Sequence, residues 1–539
     1  MLTAAVSVFI TLTAFMSRFG AFYINNITIA AVLLYIAAKH TASGIKTYFS
    51  PKNIVLSLLW SLTFCYLCTQ LSVPISAVLC VVSFLTTPFI IVGIENFLKS
   101  IKSKTADMSV KQPKTAAVIV FMYTLFSLCL FWLLCFPYGD SPDSQNQWAQ
   151  IHGELSYSDV TAVGHTLFLK LILSVWDNFT AVIIVHILMI SLLFAVFAAY
   201  FSKKGVPFAP VFFVCALFNS AMMPIEPYFF PWKDTPYVFF MGLLLLVLMQ
   251  SVSQKRLSLL SYITAGISLS GIFLMRLNGA VTVIFSGLYI FIYALKTTDI
   301  KKFLLCAAVF VLSAAGVNFY AYRVLHARHL PNGFSVQVFD TGIAAAMHDG
   351  KLTADEYAEI DSILPAQWMY EHYSPQVPLM LVHSRDESPE IAADPDYDYL
   401  NNNMILQSGI NKTAVIKLYF RLLPRHFAAF AKNAFYGTVV VWGHYNFINK
   451  TIWFDNISII FALIIIVSAQ PKGLIRLIHP VFIPLWSNML SIAVSTVTNE
   501  SRYLLPTVVL FPFYIIFLNF QLKDQNTAAA LFFSKTQIG

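Results

Sequence analysis

Charge is scarce in this sequence: Asp, Glu, Lys and Arg together make up 11% of its 539 residues, where a soluble domain carries roughly 25%. With 58% of residues hydrophobic and a mean hydropathy of +0.71, too little polar surface exists to clothe a water-soluble fold. Loop cysteines are missing as well. Cys65, Cys68, Cys80, Cys129, Cys135, Cys215 and Cys306 all fall inside apolar runs, so no disulfide framework is expected, and the Cys65/Cys68 spacing reads as packing rather than redox or metal chemistry. The sequence has no GxxxxGK[ST], HExxH or GxSxG segment and no Cys/His ligand cluster, which argues against an ATPase, a zinc protease or a serine hydrolase. Asp394-Pro-Asp396-Tyr-Asp398 opens like a calcium loop, but Tyr399 and Ile405 stand where such a loop needs Gly and Glu. No internal repeat is visible, so a transporter of obvious inverted halves is not expected.

What the sequence has in abundance is long apolar runs. Candidate spans lie near 2–16, 22–38, 53–72, 74–97, 114–136, 179–202, 207–222, 235–251, 259–275, 279–295, 303–321, 454–468, 477–496 and 503–520, about fourteen of the length a bilayer requires. The expected fold class is therefore an all-α polytopic membrane protein. Basic residues test its orientation, because Lys and Arg accumulate in cytoplasmic loops. A cytoplasmic N-terminus places Lys46, Lys52, Lys99, Lys102, Lys104, Lys111, Lys114, Lys203, Lys204, Lys255, Arg256, Lys296, Lys301, Lys302, Lys472, Arg476 and Lys523 on one side. Loops 137–178, 223–234, 322–453 and 497–502 then face outward and hold nearly all the carboxylates. The net charge of +8 is thereby accounted for as a topology signal, and no nucleic-acid partner is expected. The expectation is a multi-pass protein of the cell membrane with both termini cytoplasmic and its active face outside.

The chain divides into N-terminal spans at 1–113, a core at 114–322 with its first outer loop at 137–178, an extracytoplasmic mixed loop domain at 323–453, and C-terminal spans at 454–539. Within the first outer loop, the stretch from His165 to Trp176 is too short to span and suits a helix lying at the interface. In the second, Thr353-Ala-Asp-Glu356 reads as a capping box that opens a helix ended by Pro365. Lys417, Arg421, Arg425 and Lys432 alternate with apolar residues over 411–436, the pattern of another amphipathic interfacial helix.

Chemistry-bearing residues cluster at the outer ends of spans. Asp140 and Asp143, separated by Ser141 and Pro142, suit a rigid turn that offers a general base or a divalent-cation site; they equally suit a solvated polar loop. Lys233 and Asp234 adjoin the start of a span, where they could hold and orient a lipid phosphate or form a surface ion pair. Arg276 and Asn278 separate two apolar runs with almost no loop; Arg276 either snorkels or lines an outer cavity. Glu500 and Arg502 precede the last span, and Arg502 and Arg425 are candidate phosphate contacts, although Glu500 and Arg502 could also simply pair.

These segments, Ser141-Pro-Asp-Ser144, Trp232-Lys-Asp-Thr235, Arg276-Leu-Asn278 and Glu500-Ser-Arg-Tyr-Leu-Leu-Pro506, occur in an order that resembles a bacterial membrane-protein family of the GT-C superfamily of glycosyltransferases. The resemblance covers roughly residues 114 to 520. It implies a GT-C-like helical core and inverting transfer of a sugar from a polyprenyl-phosphate donor to an envelope glycan or polymer. Asp143 would be the base, and Lys233, Arg276 and Arg502 would neutralise the leaving phosphate. Asp140 departs from the family pattern, which has no fixed acid there. Members of that family differ on metal dependence, so a divalent cation, Mg or Mn, is left open as a cofactor. Competing expectations are a flippase or transporter of lipid-linked saccharides and an O-antigen ligase or polymerase.

Overall fold

The computed structural model describes Ile54 and residues 112–139, 141–159, 162–208, 211–212, 215, 226–327, 333–364, 366–373, 412–437, 444–446, 451–453, 479–495, 503 and 505–520. The expected spans at 2–16, 22–38, 74–97 and 454–468 lie outside these residues, as do 53–72 except Ile54 and most of 207–222.

The described chain is predominantly helical. Helix α1 (Pro113–Cys135) starts with Pro at its first position, where a missing N–H costs nothing. Helix α2 (Pro142–His152) and α3 (Val163–Leu173) precede α4 (Phe179–Lys203), whose Asn178 cap accepts from Thr180 N at 2.8 Å. A 3-10 turn (Glu226–Phe229) leads to α5 (Asp234–Ser253); α6 (Leu259–Met275), α7 (Ala280–Thr297) and α8 (Ile300–Phe319) follow, with a π turn at Tyr320–Val324. Five segments are long and apolar enough to cross a membrane: Pro113–Leu133, Phe179–Lys203, Asp234–Ser253, Ala280–Thr297 and Ile300–Val324. After the intervening domain come α14 (Ile483–Ser495), entered through a 3-10 turn at Pro480–Phe482, and α15 (Leu505–Phe520).

Helices α4 and α5 form the centre of the bundle, flanked by α1, α6 and α15, while α8 packs on α6 and α14 on α7. Apolar lipid removes the hydrophobic drive between helices, so close van der Waals fit must hold them together. Phe197 stacks face to face on Phe513 with centroids 3.9 Å apart, and Phe194 meets the same ring edge-on at 5.0 Å. Small residues permit the closest approach: a Cβ on Gly266 would lie 2.7 Å from the Cys306 carbonyl oxygen on α8. By contrast, Val118, Met122, Phe126, Leu130 and Leu133 on α1 and Leu304, Val311, Leu312 and Phe319 on α8 point outward. Such apolar outer faces suit acyl chains rather than water.

Helices α4 and α5 finish at the same end, where Tyr200 Oη and Ser253 Oγ lie 3.0 Å apart, and α6 returns to the other, so the bundle has two chemically different ends. At one, Lys204 Nζ donates to the Ser253 carbonyl (3.4 Å), Arg256 to Thr298 Oγ1 (3.3 Å) and Lys302 Nζ to the Leu257 carbonyl (3.1 Å). The other end carries Asp143, Lys233, Asp234 and Arg276.

A separate helical cluster is built from α9 (Gly333–Met347), α10 (Ala354–Ile363), α11 (Ala366–His372), α12 (Lys412–Leu422) and α13 (Phe427–Gly437), with a short antiparallel pair, β1 (His444–Asn446) and β2 (Thr451–Trp453), following it. The capping box forms as the sequence indicates: Thr353 Oγ1 accepts from Glu356 N, and the Glu356 carboxylate accepts from Thr353 N at 2.8 Å. The expected single amphipathic helix over 411–436 is corrected to a helix pair. Pro424 falls in the turn between α12 and α13, where its ring and missing N–H preclude an unbroken helix. Their apolar residues Val415, Leu418, Leu422 and Phe430 are buried against Ile343, Ile360 and Met369, so that stripe is covered by protein. Arg425 pairs with Glu356 (3.1 Å) and Arg421 contacts Glu359.

Candidate functional site

The segment that follows α1 forms a helix, correcting the rigid turn expected around Asp143. Ser141 is the N-cap of α2, accepting from Ser144 N (3.2 Å), and Pro142 takes the first helical position. Gly153, at φ +78°, closes the helix in a left-handed conformation that glycine adopts without a Cβ clash. Asp143 therefore sits in the first turn of α2, where the positive end of the helix dipole favours its ionised form.

The 3-10 segment before α5 docks on this loop. Gly139 N donates to the Phe229 carbonyl at 2.7 Å, and Phe230 covers Gly139 so closely that a Cβ there would fall 2.4 Å from its ring. Trp232, stacked on Phe230, donates its indole N–H to Ser141 Oγ at 2.8 Å. That bond brings Lys233 Nζ to 3.9 Å from Asp143 Oδ2, with the side chains 20% and 30% exposed.

One residue on, the polarity turns inward. Asp234 Oδ1 accepts from Arg276 Nη1 at 2.6 Å, with 0% and 3% of the side chains exposed. Arg276 caps α6 and its guanidinium lies over the Tyr503 ring (4.2 Å) and near Tyr237 (5.5 Å). Tyr237 donates to Asn488 Oδ1 (3.3 Å), and Asn488 Nδ2 donates to the Tyr503 carbonyl (3.3 Å). A planar, always-charged cation with a carboxylate at its edge and aromatic faces on it is the form in which charge survives burial.

The structure thus joins the separate sequence segments through Ser141–Trp232, Asp143–Lys233, Asp234–Arg276 and Arg276–Tyr503. Asn278 lies half-buried in the 3-10 turn after Arg276. Asp140, Glu500 and Arg502 lie outside the described residues.

Sequence reasoning missed the layer behind this face. Gln147, one turn beyond Asp143, donates to Thr166 Oγ1 (2.9 Å) and faces His165 Nδ1 through Oε1 (3.1 Å). Burial, then the neighbouring His186 and Lys233, push the His165 pKa well below its ordinary value. His186 Nδ1 meets the Tyr228 carbonyl at 3.4 Å. The only sequence signal for this layer was a histidine within each of two apolar runs, a pattern more often explained by a satisfied core residue. Among the described residues, no group of three His, Cys, Asp or Glu side chains could hold a metal ion.

Fold and site together define a helical membrane protein with a polar cluster at one end of an apolar bundle. No known protein family matches the chain, nor does any curated protein or solved structure.

Proposed function

We propose that this chain is a multi-pass membrane glycosyltransferase that moves a sugar from a polyprenyl-phosphate donor to an envelope glycan or polymer on the outer face. The observation that carries the reading is the Asp143–Lys233 pair, a partly exposed carboxylate and ammonium 3.9 Å apart above the buried Asp234–Arg276 pair. Lipid-borne substrates approach from the bilayer, which suits a pair carried at the ends of apolar helices.

In the proposed step, Asp143 accepts the proton of an acceptor hydroxyl as the oxygen bonds to the anomeric carbon from the face opposite the phosphate. The bond from that carbon to the phosphate oxygen breaks, its electron pair stays on the lipid phosphate, and configuration inverts. Lys233 sits beside the developing negative charge, a stabilisation strongest where water is excluded. Lipid phosphate is already a good leaving group, so no general acid is needed. Arg276 acts differently from the expectation drawn from sequence: committed to Asp234 and enclosed by tyrosines, it holds α5, α6 and the start of α15 in register beneath Lys233. The segregation of Lys204, Arg256 and Lys302 to the opposite end supports an outward-facing site, and the cluster of α9 to α13 is positioned in sequence to receive the acceptor.

The test is transfer of a labelled sugar by the purified protein in lipid, supplied with polyprenyl-phosphate sugars and an envelope acceptor fraction. Asp143→Asn is expected to lower transfer by roughly 10²–10⁴-fold, the usual contribution of a general base, with thermal stability intact. Undiminished activity in that variant would remove Asp143 from the mechanism. Absence of transfer together with protein-dependent movement of the labelled lipid across the bilayer would replace the enzyme with a transporter.

A further inference from the structure

The apolar stripe formed by Val415, Leu418, Leu422 and Phe430 is spent on the core of the α9–α13 cluster. A second apolar arc on the same helix pair is not. Ile416 and Phe420, one turn apart and so on one face of α12, are 36% and 57% exposed, and Phe427, at the start of α13, is 66% exposed. Ala431, one turn after Phe427, is exposed as well. Large apolar side chains left bare together on both sides of the Pro424 turn mark a contact surface, unlike the single exposed residues that any surface carries.

Charge beside this arc is of one sign. Lys417 and Lys432 are exposed next to it. The carboxylates of α10 stand on the other flank of α12, where Glu359 and Glu356 take Arg421 and Arg425. A helical surface with phenylalanine at its centre and lysine at its rim has the composition that lies in a bilayer interface, and lysine at that level is drawn to anionic lipid.

The chain itself brings a bilayer within reach. The candidate span Ile300–Val324 leads to α9, which begins at Gly333, and the connection extends at most about 30 Å. Helix α9 packs on α14, whose Asn488 accepts from Tyr237, so the cluster is seated on a helix that reaches the surroundings of the Asp234–Arg276 pair. Phe420 leans toward that seat, its ring centroid 6.1 Å from that of Phe339 on α9.

We propose that Ile416, Phe420 and Phe427 form a lipid-docking face. The α12–α13 pair lies on the bilayer with these side chains among the upper acyl chains and Lys417 and Lys432 at the level of the phosphates. The contact holds the α9–α13 cluster down on the membrane beside the bundle. It goes beyond the transferase reading and does not depend on it.

The experiment uses the whole chain in nanodiscs of phosphatidylcholine and phosphatidylglycerol that include a phospholipid with a diazirine near the top of its acyl chain. After irradiation, lipid adducts are mapped by mass spectrometry. The wild type is expected to carry adducts on Ile416, Phe420 and Phe427 at yields comparable to the outward-facing Phe319 of α8, and to lack them on Arg421 and Arg425. Phe420→Ser combined with Phe427→Ser should lose most of the labelling over 412–437 while that of α8 stays unchanged; both side chains are exposed, so folding should survive. Lys417→Glu combined with Lys432→Glu should lower labelling of the pair in these discs, and much less in phosphatidylcholine alone. Wild-type adducts on α8 with none on 412–437 would overturn the docking face, and benzoylphenylalanine in place of Phe427 would then report what covers it, residues 374–411 or a second copy of the chain. Equal labelling of both flanks of α12 would overturn it as well.

Discussion

Arg276 Nη1 and Asp234 Oδ1 stand 2.6 Å apart with both side chains almost fully buried, joining the end of one span to the start of another across 42 positions of sequence. A buried ion pair that loses one member leaves the other charge stranded, which costs far more than the pair contributes. Arg276→Met is expected to destabilise the protein by about 3–5 kcal/mol. Combining it with Asp234→Asn should recover on the order of 0.5–3 kcal/mol relative to the sum of the single changes. Thermal unfolding in detergent of the wild type, both single variants and the double variant completes the cycle; strict additivity would mean that the contact does not form.

Lys233 differs from Arg276 because its partner is half-exposed and 3.9 Å away. Lys233→Met should leave stability within about 0.5 kcal/mol of wild type, the usual range for surface changes, while reducing sugar transfer by roughly 10²–10³-fold, as when a donor to a developing oxyanion is removed. A variant that unfolded early yet transferred normally would reverse the roles assigned to the two cations.

Gly266 is a packing prediction. With its Cβ position 2.7 Å from the Cys306 carbonyl oxygen and 2.9 Å from Val309, Gly266→Ala forces α6 and α8 apart. Overpacking of this kind costs about 1–3 kcal/mol. Gly287→Ala, where nothing lies within 4 Å, is the control and should be neutral by the same unfolding measurement.

His152 should show pH dependence. Its Nδ1 lies 2.9 Å from the Trp148 carbonyl and its Nε2 2.9 Å from Asp177 Oδ1, and only the protonated ring donates to both. The Trp148 carbonyl first, and then Asp177, raise its pKa above the ordinary 6.5 against a smaller opposing effect of burial. A raised folded-state pKa means that the contribution is complete below about 6.5, the unfolded value, and fades as pH rises through the folded value. Asp177→Asn should shift the His152 titration downward in a histidine-selective NMR experiment; an unchanged midpoint would contradict the contact.

The cap of α10 carries the opposite sign. The Thr353 backbone N–H, ahead of the Thr353 hydroxyl and the nearby Arg425 and His426, holds the Glu356 carboxyl below its ordinary 4.5. Its contribution is present above the unfolded value and lost as pH falls through the lowered folded one. Thr353→Ala should cost about 0.5–2 kcal/mol, read as faster hydrogen exchange over 354–363.

The sequence by itself determined where apolar helices begin and end, because a bilayer demands a length and composition that local residues announce. The expected 259–275 coincides with Leu259–Met275, and 179–202 and 235–251 differ by a residue or two from Phe179–Lys203 and Asp234–Ser253. The Thr353–Glu356 capping box is equally local and was equally legible. Two readings failed where a short-range signal was given too little weight: Ser141 with Pro142 starts a helix at Asp143, and Pro424 divides the expected 411–436 helix. The tertiary structure alone decided the partners of the charged residues. No spacing reveals that Arg276 pairs with Asp234, that Arg425 faces Glu356, or that His165 is tied to Gln147 one helical turn from Asp143. Those contacts arise because antiparallel helices bring distant helix ends to one level, and burial there leaves each charge or lone pair to find a partner across space rather than along the chain.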